Sequence, residues 1–144
     1  SKNSHFIPAL IKKFVTANQK KINNIEIWGS GKPMREIMHV NDLASAIIFL
    51  LEKKVSKNKK FNKFLEKNSV INVGSSFEIS IKNFAKKVAK ITNNNSKLIF
   101  NTKFPDGTKR KILDNTFMKK MGWKSKISLN KGLVDTINWF KENY

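Results

Sequence analysis

Residues 25–44 read IEIWGSGKPMREIMHVNDLA, and this stretch decides how the chain is organised. Two short β-favouring runs, residues 25–28 and 36–40, flank the turn-forming sequence Gly-Ser-Gly-Lys-Pro, which predicts a hairpin or a pair of short strands. Asn41 is a favourable N-cap for a helix that runs to about Lys53. Apolar residues lie around much of the circumference of that helix, so we expect it to be largely buried or to need a partner surface.

Outward from this stretch, short strands alternate with longer helices. Helical spacing of apolar residues predicts helices over residues 5–17, 114–121 and 129–142, and one more that begins after the N-cap Ser80. Short β-favouring runs predict strands at residues 69–74 and 97–100, and the lysine-rich segment at about residues 54–68 is expected to be a solvated loop. The predicted fold class is mixed α/β.

Composition narrows the class of protein. The chain has 144 residues, 40% of them hydrophobic, and a formal net charge of +19. Only Arg35 and Arg110 among its 29 basic residues are arginine, and the lysines are spread along the whole chain, which disfavours a nucleic-acid interface built on arginine. The absence of cysteine excludes disulfides and thiolate chemistry here, and no apolar run of membrane-spanning length occurs. We therefore expect a cytoplasmic protein with no nucleic-acid or membrane partner.

Three separated stretches resemble one enzyme family. They are residues 4–14 (SHFIPALIKKF), 28–44 (WGSGKPMREIMHVNDLA) and 105–114 (PDGTKRKILD). In this order they are similar to the C-terminal part of the GDP-L-fucose synthases, which are extended short-chain dehydrogenase/reductases of the NAD-dependent epimerase/dehydratase superfamily. Within the middle stretch, residues 35–44 (REIMHVNDLA) support only the superfamily, whereas the first and last stretches, found in order around WGSGKPMR, are narrower. The resemblance implies an NAD(P)-binding Rossmann-type enzyme, of which residues 1–144 form a single C-terminal substrate-binding region. The dinucleotide-binding half would be missing from this chain.

That resemblance also implies an activity. Members epimerise GDP-4-keto-6-deoxy-D-mannose at C3 and C5 and reduce C4 with NADPH to give GDP-L-fucose, and the whole enzyme is expected to be a homodimer. The reductase Ser, Tyr and Lys would lie upstream, so this segment should bind the GDP-sugar and be inactive alone. His5 matches the catalytic histidine, the general acid of epimerisation, which also lies beside the cofactor. From the residues alone, a histidine at the start of a helix is more often a surface or capping residue, and only the surrounding motif favours catalysis.

Five further residues match the substrate-binding positions of the family. Lys13, Trp28 and Arg35 match positions that hold the GDP, although an arginine is usual where Lys13 stands, and lysine lacks the bidentate fork. Asp106 matches a carboxylate that contacts substrate, and Lys111 is the expected second cation on the phosphate side. Two structural alternatives remain open, because Trp28 could simply pack in the hairpin and Asp106 could fold onto its own turn. No metal site is expected.

Two other functions remain open from the sequence. A related nucleotide-sugar epimerase or dehydratase with a different substrate would share the fold and the superfamily motif. A non-enzymatic basic module that binds nucleic acid would explain the charge but not the three matching stretches.

Overall fold

The computed structural model, which describes residues 5–144, has a mixed α/β fold, as the sequence predicts. In the described part of the chain there are six helices and five short strands. The helices are α1 (Phe6–Lys20), α2 (Val40–Val55), α3 (Lys59–Lys67), α4 (Ile81–Ile91), α5 (Thr116–Lys120) and α6 (Leu129–Asn143). The strands are β1 (Asn24–Trp28), β2 (Met34–Glu36), β3 (Glu78–Ser80), β4 (Lys97–Asn101) and β5 (Arg110–Lys111).

The chain divides into two compact units. Described residues 5–35, 79–110 and 130–144 form the first unit, and residues 36–78 and 111–129 form the second. Three of the four boundaries fall inside β2, β3 and β5, and the fourth falls after the first residue of α6. The expectation of a single substrate-binding region over residues 1–144 stays a prediction.

The first unit contains a two-stranded parallel sheet. Strand β1 pairs with β4 in the register that places Ile25 opposite Leu98 and Trp28 opposite Asn101. The alternation of buried and exposed residues along β1 leaves Trp28 on the exposed side. Helices α1 and α4 pack against each other through fully buried side chains such as Phe14 and Phe84, because their apolar residues recur at helical spacing.

The second unit is centred on buried Ala46, Met118 and Trp123, with partly buried side chains of α2 packed around them. The buried carboxylate of Asp42 accepts hydrogen bonds from the backbone N–H groups of Lys126 and Ile127, both at 3.0 Å. A buried charge needs such partners. Asp42 is therefore a structural residue that fixes the chain segment leading into α6.

Residues 25–40 do not form a hairpin. Strand β1 pairs with β4, whereas β2 lies between β3 and β5 in a separate three-stranded sheet. The alternative expectation, a pair of short strands, is correct for residues 25–28, whereas the second strand, β2, shares only Glu36 with the predicted run 36–40. Gly29 and Gly31 have φ values of +82° and +73°, so the turn directs the chain into a second sheet rather than back along β1.

Three local predictions are wrong, each for a physical reason. The lysine-rich segment at residues 54–68 is not a loop, because it contains α3, which begins at the N-cap Asn58 and whose Phe64 ring stacks on Phe117 at 3.7 Å. Residues 69–74 form no strand, because no strand among residues 5–144 pairs with them, and the backbone of Gly74 exchanges hydrogen bonds with the side-chain amide of Asn115. The N-cap of α2 is His39, whose Nδ1 accepts the backbone N–H of Asn41.

One face of α2 exposes a row of large apolar side chains. Val40, Ile47, Ile48 and Leu51 are 69%, 50%, 58% and 57% exposed, and they recur at helical spacing. The expectation of a largely buried helix is therefore wrong for this face, and the alternative, that the helix needs a partner surface, stays a prediction. Among the described residues, no helix is both long enough and apolar enough to span a membrane.

Candidate functional site

Trp28 and Lys13 come together at the end of β1. The Lys13 ammonium lies 5.8 Å from the centroid of the Trp28 ring, within the range of a cation–π contact. The same ammonium donates a hydrogen bond of 2.7 Å to the backbone carbonyl of Glu26, two residues before Trp28 on the same strand. Both side chains are exposed. The structure thus places a positive charge and a flat aromatic surface side by side, open to solvent.

The loop after Trp28 is held by Asp106. The Ser30 backbone N–H donates to Asp106 Oδ1 at 2.8 Å, and the Ser30 hydroxyl donates to Asp106 Oδ2 at 2.5 Å. These bonds, together with the nearby charges of Lys32 and Arg35, hold the pKa of Asp106 below its ordinary value. Asp106 therefore binds the glycine loop and not its own turn, so the second open alternative is wrong. Contact of Asp106 with substrate stays a prediction.

Gly29 is required at the centre of this arrangement. Its φ of +82° disfavours any residue with a side chain, and a Cβ atom built there would overlap Asp106 Oδ1. The backbone N–H of Gly29 also donates to the carbonyl of Asn101 at 2.9 Å. The absence of a side chain at Gly29 lets the Asp106 carboxylate reach Ser30.

Arg35 joins β2 to the segment that follows Asp106. Its Nη1 donates to the carbonyl of Met34 at 2.8 Å and to the carbonyl of Thr108 at 2.7 Å. Those two bonds use the N–H groups of Nη1, and the guanidinium has three further N–H donors on Nε and Nη2. The half-buried Arg35 is thus positioned by protein carbonyls, with donors left to receive an anion.

His5 and Lys111 are the two other residues that the resemblance assigns to the site. His5 is exposed and occupies the N-cap position of α1, where its carbonyl accepts the backbone N–H of Ala9 at 3.1 Å. Lys13 follows eight residues later on the same helix, about 12 Å along its axis. Lys111 is exposed in β5 and belongs to the second unit. The roles expected of both residues stay predictions.

Sequence reasoning missed three residues of this site. Phe104 stacks on Trp28 with ring centroids 4.3 Å apart and an angle of 13° between the planes. Ser30 and Thr108 supply the partners of Asp106 and Arg35. The only available signals were a serine between two glycines and a phenylalanine beside the Pro-Asp-Gly turn, and both are common in ordinary loops.

Chemically, the first unit offers a site for an anion attached to a flat ring. Lys13, Lys32 and Arg35 supply positive charge, the Trp28 and Phe104 rings supply stacking surface, and the carboxylate of Asp106 is already paired within the loop. Within residues 5–144, no group of His, Asp and Glu side chains has the arrangement of a metal site. The adjoining cations and stacking rings make the site suited to binding such a ligand.

The fold and this site define a mixed α/β protein of the Rossmann-type epimerase and reductase class. The sequence model of one family matches residues 1–74, slightly more than half of the chain. The chain belongs to the NAD-dependent epimerase/dehydratase family.

Similar proteins extend this result over the whole chain. Probable GDP-L-fucose synthase 1 of Oryza sativa subsp. japonica is 40% identical over 141 residues, which cover 98% of this chain and 40% of that protein. GDP-L-fucose synthase of Escherichia coli (strain K12) is 39% identical over 98% of this chain and 43% of its own length. A solved structure of GDP-mannoheptose C4 reductase from Campylobacter jejuni, with NADP bound, is 32% identical, with a TM-score of 0.79 over 96% of this chain and 45% of that one. The chain spans about 40% of the length of these curated relatives.

Proposed function

We propose that this chain is the GDP-sugar-binding part of a GDP-L-fucose synthase. That enzyme epimerises GDP-4-keto-6-deoxy-D-mannose at C3 and C5 and reduces C4 with NADPH. The observation that carries the proposal is the grouping of Lys13, Trp28 and Arg35 around the loop held by Asp106, in a chain aligned over 98% of its length with proteins named GDP-L-fucose synthase. These relatives favour this substrate over that of another epimerase or dehydratase and over a nucleic-acid partner.

Each residue of the site is assigned to one part of the GDP-sugar. Arg35 presents a planar guanidinium suited to a diphosphate, and the Lys13 ammonium adds a second positive charge. The Trp28 ring offers a stacking surface for guanine beside these cations. Asp106 acts by shaping the Ser30 loop and accepts a sugar hydroxyl with its remaining lone pairs. Lys111 supplies a further phosphate-side cation.

His5 is proposed as the general acid of epimerisation. C3 and C5 both flank the C4 ketone, so removal of a proton from either carbon gives a stabilised enolate. Inversion then needs a group that returns a proton to the opposite face. Histidine is the side chain most often used for proton transfer in enzymes, and His5 is exposed at the start of α1.

NADPH would be held mainly by a dinucleotide-binding half that this chain does not span. The described residues do not fit the cofactor, because the Gly-Ser-Gly loop after β1 leads into strand β2 and not into the N-terminus of a helix that could receive the pyrophosphate. When bound, the cofactor supplies the hydride for C4. In this chain only His5 is expected beside it.

Two features of the second unit support the existence of such a half. The apolar face of α2 is open to solvent, and exposed patches of this kind mark interaction surfaces. Residues 69–74 have the composition of a buried strand but no strand partner among residues 5–144, and Val70 is 71% exposed. Both features would be satisfied by a partner sheet. The complete enzyme is proposed to be a cytoplasmic homodimer.

Calorimetric titration of the chain with nucleotides tests the proposal. We expect one saturable site for GDP, weaker binding of UDP because a smaller base offers less stacking area, and weaker binding still of inorganic pyrophosphate. Equal affinity for all three ligands, or no saturable binding of GDP, would contradict the proposed function. Turnover of the keto sugar with NADPH by the chain alone would contradict the assignment of the cofactor to another half.

A further inference from the structure

Phe104 forms an exposed aromatic pair with Trp28. The rings are nearly parallel, at 13°, with centroids 4.3 Å apart, and Phe104 and Trp28 are 38% and 53% exposed. Large aromatic side chains of a folded domain are usually more deeply buried than this. The two rings are stacked on each other, yet a substantial part of the pair still faces water.

Two backbone hydrogen bonds to one carbonyl bring Trp28 and Phe104 together. The carbonyl of Asn101 accepts the backbone N–H of Gly29, directly after Trp28, at 2.9 Å. The same carbonyl accepts the backbone N–H of Phe104 at 3.3 Å. The end of β1 and the turn after β4 are thus joined at one carbonyl, which holds the backbones of Trp28 and Phe104 at a separation where their rings stack.

We infer that Phe104 is a positioning residue for nucleotide binding, which fixes the plane of the Trp28 ring so that a purine base stacks on the exposed part of the pair. The inference rests on the proposed function and adds a residue to it. An unsupported exposed indole would lose side-chain freedom when a base binds, whereas a ring already held by Phe104 has lost that freedom beforehand.

The spacing of the pair also decides where the base lies. Stacked rings with centroids 4.3 Å apart leave no space for a third ring between them, so the base binds outside the pair. Lys13, whose ammonium lies over the Trp28 ring at 5.8 Å from its centroid and is held by the Glu26 carbonyl, places positive charge at the same aromatic pair. Base and phosphate can therefore be bound at adjacent points.

Separate titrations with GDP and inorganic pyrophosphate test this role in the 144-residue chain. Phe104→Ala should weaken GDP binding by roughly 2- to 10-fold, because the Trp28 side chain must then be immobilised when the base binds. It should leave the affinity for pyrophosphate unchanged. Phe104→Tyr keeps the stacked ring and should restore GDP affinity. The matched control is Phe77→Ala, which removes another exposed phenylalanine, 45% exposed, from the second unit and should change neither affinity.

The outcomes separate the inference from the proposed function. If the parent chain binds GDP and Phe104→Ala binds it equally well, the positioning role is wrong while the proposed function stands. The same conclusion follows if Phe104→Ala weakens GDP and pyrophosphate by equal factors, because that pattern indicates general damage to the loop. If the parent chain binds no GDP, the proposed function fails and this role fails with it.

Discussion

Replacing Gly29 by alanine should destabilise the first unit for two separable reasons. A residue with a Cβ atom at a positive φ costs about 1–2 kcal/mol. The new Cβ would also overlap Asp106 Oδ1, so the carboxylate must move and its hydrogen bonds to Ser30 are lost. The conformational part alone should lower the melting temperature by about 2–8 °C in a chain of this length.

Gly122→Ala is the matched control for this experiment. Gly122 has a φ of +95°, but a Cβ built there meets no atom within 4 Å, so this variant carries the conformational strain without the overlap. Thermal unfolding followed by circular dichroism compares the two variants. Gly29→Ala should melt below Gly122→Ala, and Asp106→Ala in the Gly29→Ala background should lose no further stability.

Two results would refute the reasoning about the loop. Gly29→Ala and Gly122→Ala could melt at the same temperature, which would mean that the Asp106 carboxylate moves without loss. Alternatively, Asp106→Ala could destabilise the parent chain and the Gly29→Ala chain equally, which would mean that the alanine leaves the Ser30 contacts intact.

Three further predictions concern single side chains. In the proposed full-length enzyme, His5→Asn should slow solvent-deuterium exchange at sugar C3 and C5 while leaving GDP affinity nearly unchanged. Unaltered exchange would indicate that His5 is structural. The pKa of Asp106 is lowered in the folded chain, so the stability that its carboxylate contributes is present above the unfolded pKa and is lost as pH falls through the folded pKa. The amide resonance of Ser30 should therefore shift below about pH 4 in the parent chain. It should not shift in Asp106→Asn. Asp42→Asn should lower the free energy of unfolding in urea by about 1.5–3 kcal/mol, since a buried charged acceptor is lost, whereas the exposed Asp135→Asn should have little effect. Equal effects of the two substitutions would contradict the role of Asp42.

Local features of the fold were predictable from the sequence because they depend on neighbouring residues. The stripes of α1, α4 and α6 repeat every three or four residues, and Ser80 accepts the backbone N–H of Asn83 as an N-cap should. These signals lie within one or two turns of helix. These helices can therefore be predicted without knowing the tertiary fold.

Most of the wrong predictions involve partners distant in sequence; the exception is the N-cap of α2, where His39 and Asn41 are two residues apart. A hairpin at residues 25–40 was favoured by the turn residues, but β1 pairs with β4, which only the tertiary fold brings alongside. Helix α3 looks too rich in lysine to order itself, yet the Phe64 ring gains a stacking partner in Phe117. The segment at residues 69–74 has strand composition, and composition does not state whether a neighbouring strand is present.

The site shows the same division. The resemblance identified Lys13, Trp28, Arg35 and Asp106, because their residue types occur in recognisable stretches. It could not identify how they are held, since Ser30 and Asp106 are 76 residues apart and Phe104 meets Trp28 across a similar gap. The residue types alone do not show these contacts, which become visible only in the folded structure.

The most direct test of the central claim is the GDP affinity of Arg35→Ala, measured by calorimetry against Lys12→Ala. Both substitutions remove one positive charge, but Lys12 is an exposed helix residue outside the site. Loss of a charged hydrogen bond to the diphosphate should weaken GDP binding by about 1–3 kcal/mol, or roughly 5- to 150-fold, in Arg35→Ala and hardly at all in Lys12→Ala. Equal GDP affinity in the two variants would contradict the assignment of this site to a GDP-sugar.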